Sequence, residues 1–185
     1  MTTDLRGFDR PMLMLGLIGA MLAAVNNVVA TVGLGIAQGP VVAFTTPLAF
    51  ALARLGARRL PAATLVYLPV VIVSIFTLNF GPPGYYKIGF MSGALAYDAL
   101  CYLTGVGWTA RQRVRLWKLL LANISYPIGL LAGGMLILTQ VTVEIPILAR
   151  GLPAAIGMVV LFALIGSLAT WLAHRIFYRR IVHEL

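Results

Sequence analysis

Polar side chains that interrupt long apolar segments are the residues of this sequence with the clearest capacity for chemistry. Asp98 is the only acid well inside such a segment, and Asn123 lies at a similar depth in the next one. Polar groups in an apolar environment usually face the interior of a helical bundle or a water-filled cavity. We therefore expect Asp98 either to have a structural partner, which would be Asn123 or a basic loop residue, or to belong to a proton or ion relay.

A second set of polar and aromatic residues lies near the segment ends that carry few charges. Several of its members flank a Gly-Pro-Pro-Gly turn at positions 81–84, which should be rigid and non-helical because proline lacks a backbone N–H. Small-molecule sites combine aromatic walls with a few placed polar groups. The candidate substrate-binding residues are Asn26, Asn27, Asn79, Tyr85, Tyr86 and Lys87. The alternative is an interfacial aromatic belt in which Lys87 extends to water.

The sequence contains no recognisable catalytic or nucleotide-binding pattern. Its two histidines, His174 and His183, lie in the basic C-terminal tail without a cysteine or acid at metal-ligand spacing. A phosphate-binding glycine loop of the G-x-x-x-x-G-K-[ST] type does not occur. We therefore expect that this chain is not an enzyme, holds no metal or cofactor, and does not hydrolyse ATP by itself.

Composition places the chain in a membrane. Hydrophobic residues make up 61% of it and charged residues only 10%, whereas a soluble domain has about 25% charged residues. The mean hydropathy is +0.95. The formal charge of +9 is concentrated in the short gaps between apolar segments, which indicates a topology signal rather than nucleic-acid binding. The single Cys101 has apolar neighbours and is expected to serve packing.

Six apolar segments follow one another, at about residues 11–33, 40–53, 61–80, 85–106, 117–140 and 151–173. A helix needs about 20 residues to cross a hydrocarbon core of about 30 Å, so the second segment is short. The sequence predicts an all-α, polytopic membrane protein with one six-helix domain over residues 1–185. Polar tails are expected at 1–10 and 174–185.

Six crossings would place both termini on the same side of the membrane. That side also holds every Lys and Arg residue of the 14 in the chain except Lys87 and Arg150. Short loops rich in Lys and Arg stay in the cytoplasm, so both termini are predicted to be cytoplasmic. Trp108, Trp117 and Trp171 fall near the same boundary, where amphipathic rings settle.

Small residues recur at every fourth position of the first segment, at Gly16, Ala20 and Ala24. Such a stripe lets another helix backbone approach closely within lipid. Two further pairs repeat the spacing, Gly89 with Gly93 and Gly129 with Gly133. Internal packing explains such stripes in general, and docking of a partner protein is the alternative for the first segment.

In these respects the chain resembles the substrate-binding membrane subunits, or S components, of energy-coupling factor (ECF) vitamin transporters. The resemblance rests on chain length, on six spans with cytoplasmic termini, on the stripe in the first span, and on the stretches at 81–87 and 93–98. The family stripe has alanine at both ends, whereas this one begins with Gly16.

The resemblance implies that Gly16, Ala20 and Ala24 dock on a membrane coupling protein. It also implies that the candidate substrate-binding residues hold a vitamin or precursor near the outer face. Two partner ATPases would then drive uptake across the cell membrane of a prokaryote.

Two other classes stay open at this point. A stand-alone secondary transporter or channel would use Asp98 as its coupling acid, and two similar halves would favour it, but no internal repeat is evident. A membrane-embedded enzyme or an assembly subunit is the other class. An enzyme would need a convergent set of reactive residues, which the sequence does not show.

Overall fold

The computed structural model describes residues 6–31, 38–57, 61–76, 86–106, 113–140 and 152–181, and within these ranges it contains six α-helices and no strand. The helices are α1 (Arg6–Thr31), α2 (Gln38–Gly56), α3 (Ala62–Phe76), α4 (Tyr86–Leu103), α5 (Leu116–Gln140) and α6 (Leu152–Ile176). Helix α6 continues into a π-helical turn, Phe177–Ile181. The all-α prediction is confirmed, and one helix lies in each predicted segment.

Helix ends differ from the predicted segment ends where charged residues lie inside a helix. Helix α1 begins at Arg6 rather than at residue 11, and helical structure after α6 runs to Ile181 rather than to residue 173. Parts of both predicted tails are therefore helical. Helix α2 is also longer than the predicted 40–53 and includes Arg54 in its last turn. Charge marks where apolar composition stops, whereas a helix ends where its backbone hydrogen bonds end.

Four helices are long and apolar enough to cross a membrane, over Pro11–Val29, Gly39–Gly56, Leu116–Leu136 and Pro153–Arg179. Two further apolar stretches, Ala62–Ile75 and Ile88–Leu103, are shorter. Large apolar side chains are widely exposed, including Leu13 at 78% and Leu164 at 66%. Soluble monomers rarely expose such extended apolar surface. The six membrane crossings and the cytoplasmic location of both termini stay predictions.

Consecutive helices run in opposite directions, as contacts at one end of the bundle show. These contacts are Gly56 with Met14, Asp98 with Thr64, Lys118 with Thr104, and Tyr178 with Val114. We call this the basic end, where α2, α4 and α6 finish and α1, α3 and α5 begin. Its described cationic side chains are Arg54, Arg113, Arg115, Lys118, Arg175 and Arg179.

Five helices form a ring in the order α2, α3, α4, α5, α6, and α1 packs outside it against α2 and α3. One buried aromatic residue from each of α2, α3, α4 and α5 lies in the interior. The ring centroid of Phe50 lies 6.0 Å from that of Tyr67, 5.4 Å from that of Tyr97 and 5.3 Å from that of Tyr126. The pairs with Tyr67 and Tyr126 are edge-to-face, and such pairs contribute roughly 0.5–1.5 kcal/mol beyond their buried area. We call these four residues the aromatic core.

Helices α4 and α5 approach closely because glycines line their contact. Ser92 Oγ lies 2.7 Å from the Gly89 carbonyl oxygen and also within hydrogen-bond distance of the Gly129 carbonyl oxygen. A Cβ atom on Gly129 would lie 2.8 Å from the Ser92 carbonyl oxygen. Small residues at such positions let two backbones meet in lipid. The repeats Gly89–Gly93 and Gly129–Gly133 therefore serve internal packing.

Gly133→Ala is expected to destabilise the protein by about 1–3 kcal/mol, the usual range for overpacking. The new Cβ would overlap the Gly89 carbonyl oxygen and the Ser92 side chain. Gly157 provides a matched control, because it is exposed on α6 and nothing lies within 4 Å of a Cβ there. Gly157→Ala should be neutral or stabilising by up to about 1 kcal/mol, since alanine favours helix. Thermal unfolding in detergent measures both, and equal midpoints would contradict this account.

Candidate functional site

The Asp98 carboxylate lies near the basic end, at the start of α3. Its Oδ2 accepts hydrogen bonds from Thr64 N and Thr64 Oγ1, both at 2.8 Å, and its Oδ1 accepts one from Ala63 N at 3.2 Å. Helix α3 begins at Ala62, so these N–H groups belong to its first turn. The N–H groups of a first turn have no acceptor within their own helix. A carboxylate is also favoured there by the helix dipole. Asp98 thus anchors the start of α3 to α4.

Arg54 supplies a positive charge to the same place from the last turn of α2. Its Nη1 lies 3.7 Å from Asp98 Oδ1, and its guanidinium carbon lies 4.5 Å from the centre of the Tyr102 ring. The Arg54 side chain is 0% exposed and that of Asp98 only 5%. Buried charges persist only when they are paired and hydrogen-bonded. Arg54, Thr64, Asp98 and Tyr102, which we call the Asp98 cluster, therefore join α2, α3 and α4.

The partner of Asp98 is thus a basic residue, one of the alternatives that the sequence left open, although Arg54 lies in a helix rather than a loop. The expected bond between Asp98 and Asn123 is not formed. Similar depth in the membrane does not imply contact, because α5 turns Asn123 toward α6. The hydrogen bonds and charge pair around Asp98 are those of a structural anchor.

Asn123 joins α5 to α6. Its Nδ2 donates to the Ala163 carbonyl oxygen at 3.1 Å and lies 3.3 Å from Ser167 Oγ, and the side chain is fully buried. A Cβ on Gly166 would lie 2.5 Å from Asn123 Oδ1, so the close approach of α6 depends on this glycine. Asn123 is therefore a second polar contact between helices, separate from the Asp98 cluster.

Gly16, Ala20 and Ala24 lie on the exposed side of α1. Nothing lies within 4 Å of a Cβ built on Gly16. The bundle is contacted by another face of the helix, where a Cβ on Gly19 would lie 2.9 Å from the Val66 carbonyl oxygen of α3. Internal packing within this chain is therefore the wrong explanation for the first stripe. We call the exposed surface the α1 face; it also includes the exposed side chains of Leu13, Leu17 and Met21.

Of the candidate substrate-binding residues, Asn26 and Asn27 lie in the half of α1 that is farther from the basic end. Asn26 is buried, and its Nδ2 donates to the Leu22 carbonyl oxygen at 3.0 Å in the same helix. Asn27 beside it is half-buried, and Tyr86 is the first residue of α4. Asn79, Tyr85 and the side chains of Tyr86 and Lys87 lie outside the described residues. The substrate-binding site stays a prediction.

Sequence reasoning missed the burial of Arg54 and the aromatic core. Arg54 comes directly after the predicted apolar segment 40–53 and is its first charge, so the sequence pattern places it in a loop. The available signal was Asp98 itself, since an acid within the membrane usually pairs with a basic group. The aromatic core had no comparable signal, because isolated tyrosines in apolar segments do not show which helices will meet.

The fold and its exposed apolar surface define a helical membrane protein. Comparison with protein-family models, with curated proteins and with solved structures finds no match. Among the described residues, no group of three or more His, Cys, Asp or Glu side chains is placed to hold a metal ion.

Proposed function

We propose that the chain is the substrate-binding (S) subunit of an ECF-type importer. It captures a small water-soluble nutrient, such as a vitamin or its precursor, at the outer face of a prokaryotic cell membrane. A membrane coupling protein and two ATPases supply the energy for uptake, and the chain performs no chemistry on its ligand. The observation that carries this proposal is the exposure of the small residues on the α1 face.

Helix α1 is suited to contact another membrane protein. It packs on the outside of the five-helix ring, and Gly16, Ala20 and Ala24 are all exposed. Within lipid, apolar surface alone does not drive association, whereas small residues allow close backbone packing. A partner helix on the α1 face would gain this packing without any change in the ring.

A secondary transporter or channel that uses Asp98 as its coupling acid is the alternative function. Two observations weigh against it. The Asp98 carboxylate accepts three hydrogen bonds and pairs with Arg54. The aromatic core also occupies the interior of the ring with rings in contact, which is unfavourable for an open pore.

The proposal is tested by identifying what co-purifies with the protein. Full-length protein purified in mild detergent from its native host should carry a stoichiometric water-soluble nutrient, detected by mass spectrometry of the denatured sample. A coupling protein and ATPases should be present in the same preparation. Absence of a bound nutrient, together with uptake by liposomes that contain only this chain, would favour the alternative.

A further inference from the structure

Along the exposed face of α6, apolar side chains are followed by tryptophan and then by arginine toward the basic end. Leu164 and Leu168 are exposed, Trp171 follows at 40% exposure, and Arg175 and Arg179 come last. Residues three or four apart lie on one side of a helix. The Arg175 guanidinium carbon lies 5.2 Å from the centre of the Trp171 ring. The order corresponds to the acyl, interfacial and phosphate layers of one leaflet, where tryptophan prefers the interface.

Helix α5, which lies next to α6, shows the same order of apolar side chains, tryptophan and arginine toward the basic end. Ile124 and Leu121 are exposed, Trp117 is 52% exposed, and Arg113 and Arg115 precede the helix with exposed side chains. The two helices pack against each other. Both therefore offer apolar surface, then tryptophan, then arginine at the basic end. We call this surface the α5–α6 seam.

The last turn of α6 and the π-helical turn that follows it hold the seam together. Tyr178 Oη accepts a hydrogen bond from Val114 N at 2.8 Å, and His174 Nε2 lies 2.9 Å from the Val114 carbonyl oxygen. The Arg113 guanidinium carbon lies 4.8 Å from the centre of the Tyr178 ring. Cation–π contacts of this kind position a guanidinium group without consuming its hydrogen-bond donors. Arg113 is thus held against the turn that carries Arg179.

Carboxylates do not balance these charges within the described part of the chain. Asp98 is the only acid whose side chain the structure describes, and it is bonded to Arg54 and the start of α3. Among the described side chains, the cations of the seam therefore form a patch of one sign, bordered by exposed tryptophan and apolar side chains. An anion with long apolar chains is complementary to this combination.

The geometry points to the α5–α6 seam as a binding site for an anionic phospholipid. The phosphate is held by Arg113, Arg175 and Arg179, and the acyl chains lie along the apolar exposed faces of α5 and α6. Guanidinium groups bind phosphate oxygens through paired N–H donors. Basic clusters next to membrane helices attract anionic lipids, whereas a zwitterionic headgroup carries its own compensating ammonium.

Native mass spectrometry of the full chain tests this assignment. The protein in neutral detergent is titrated with phosphatidylglycerol and with phosphatidylcholine of identical acyl chains. Wild-type protein is expected to bind phosphatidylglycerol about tenfold more tightly, given the contribution of each basic group near an anionic headgroup. R175Q/R179Q should lose most of this preference. Its thermal midpoint should stay near that of wild type, because both side chains are exposed.

R6Q/R10Q is the matched control, since it removes the same charge from α1, which packs on α2 and α3 rather than on the seam. This variant should keep the wild-type preference. The assignment would be overturned if both double variants lost the preference for phosphatidylglycerol equally. It would also be overturned if wild-type protein bound the two lipids equally. Excess inorganic phosphate should leave the bound lipid in place; displacement would identify a phosphate site instead and overturn the lipid assignment.

Discussion

Asp98→Ala is expected to destabilise the folded bundle by about 3–5 kcal/mol, the usual result of removing one member of a buried ion pair. The change leaves the fully buried Arg54 side chain without its carboxylate partner. It also removes the acceptor for the N–H groups of Ala63 and Thr64 at the start of α3. Thermal or denaturant unfolding of the purified protein in detergent measures the loss.

Arg54 supplies the control for this prediction. Replacing both members of a buried pair with apolar residues is far less harmful than removing one of them. The double variant Arg54→Met/Asp98→Ala should therefore be more stable than the sum of the two single changes predicts. Strict additivity would show that the two side chains act independently. Wild-type stability of Asp98→Ala would contradict the anchoring role altogether.

Asp98→Asn separates anchoring from ion coupling. Asparagine keeps an oxygen that can accept from Thr64 but loses the charge opposite Arg54, so an intermediate loss of stability is expected. If Asp98 is only an anchor, the folded fraction of this variant binds ligand as wild type does. A coupling acid would behave differently, because the variant would fold well and yet abolish uptake in liposomes that lack ATPases.

The helices could be predicted from the sequence because long apolar runs are a strong signal that needs no knowledge of tertiary contacts. Helix pairing could not be predicted in the same way. Asp98 and Asn123 lie at similar depths, yet the first faces α3 and Arg54 while the second faces α6. Depth depends on position along a helix, whereas contact depends on rotation about its axis and on the identity of the neighbour.

Helix α1 shows the same difficulty within a single element. Its small residues occupy both sides of the helix, with Gly16 and Ala20 exposed and Gly19 and Ala23 buried. Spacing by four identifies each stripe equally well, so the sequence alone could not decide which one faces α3. The candidate substrate-binding residues stay a prediction as a group, because Asn79 and Tyr85 lie outside the described residues.

Ala20→Trp is expected to reduce co-purification of the coupling protein and ATPases about tenfold or more, while ligand affinity stays unchanged. This prediction depends on the proposed function. A tryptophan at the centre of the α1 face would hold a partner helix away from Gly16 and Ala24. Overpacking a close contact costs about 1–3 kcal/mol, and about 1.4 kcal/mol corresponds to a factor of ten in affinity. Quantitative mass spectrometry of the purified complex measures the partners, and equilibrium binding to the isolated subunit measures the ligand.

Ala132→Trp makes the same chemical change at an exposed alanine of α5 and should leave the partners bound. Because Ala20 does not face the bundle, the folded subunit should tolerate tryptophan there, and its thermal midpoint should match that of the Ala132 variant. Equal loss of partners and ligand in Ala20→Trp would show damage to the subunit itself. Full retention of the partners would place their docking surface elsewhere, since a helix in close contact with the α1 face cannot accommodate a side chain of that size.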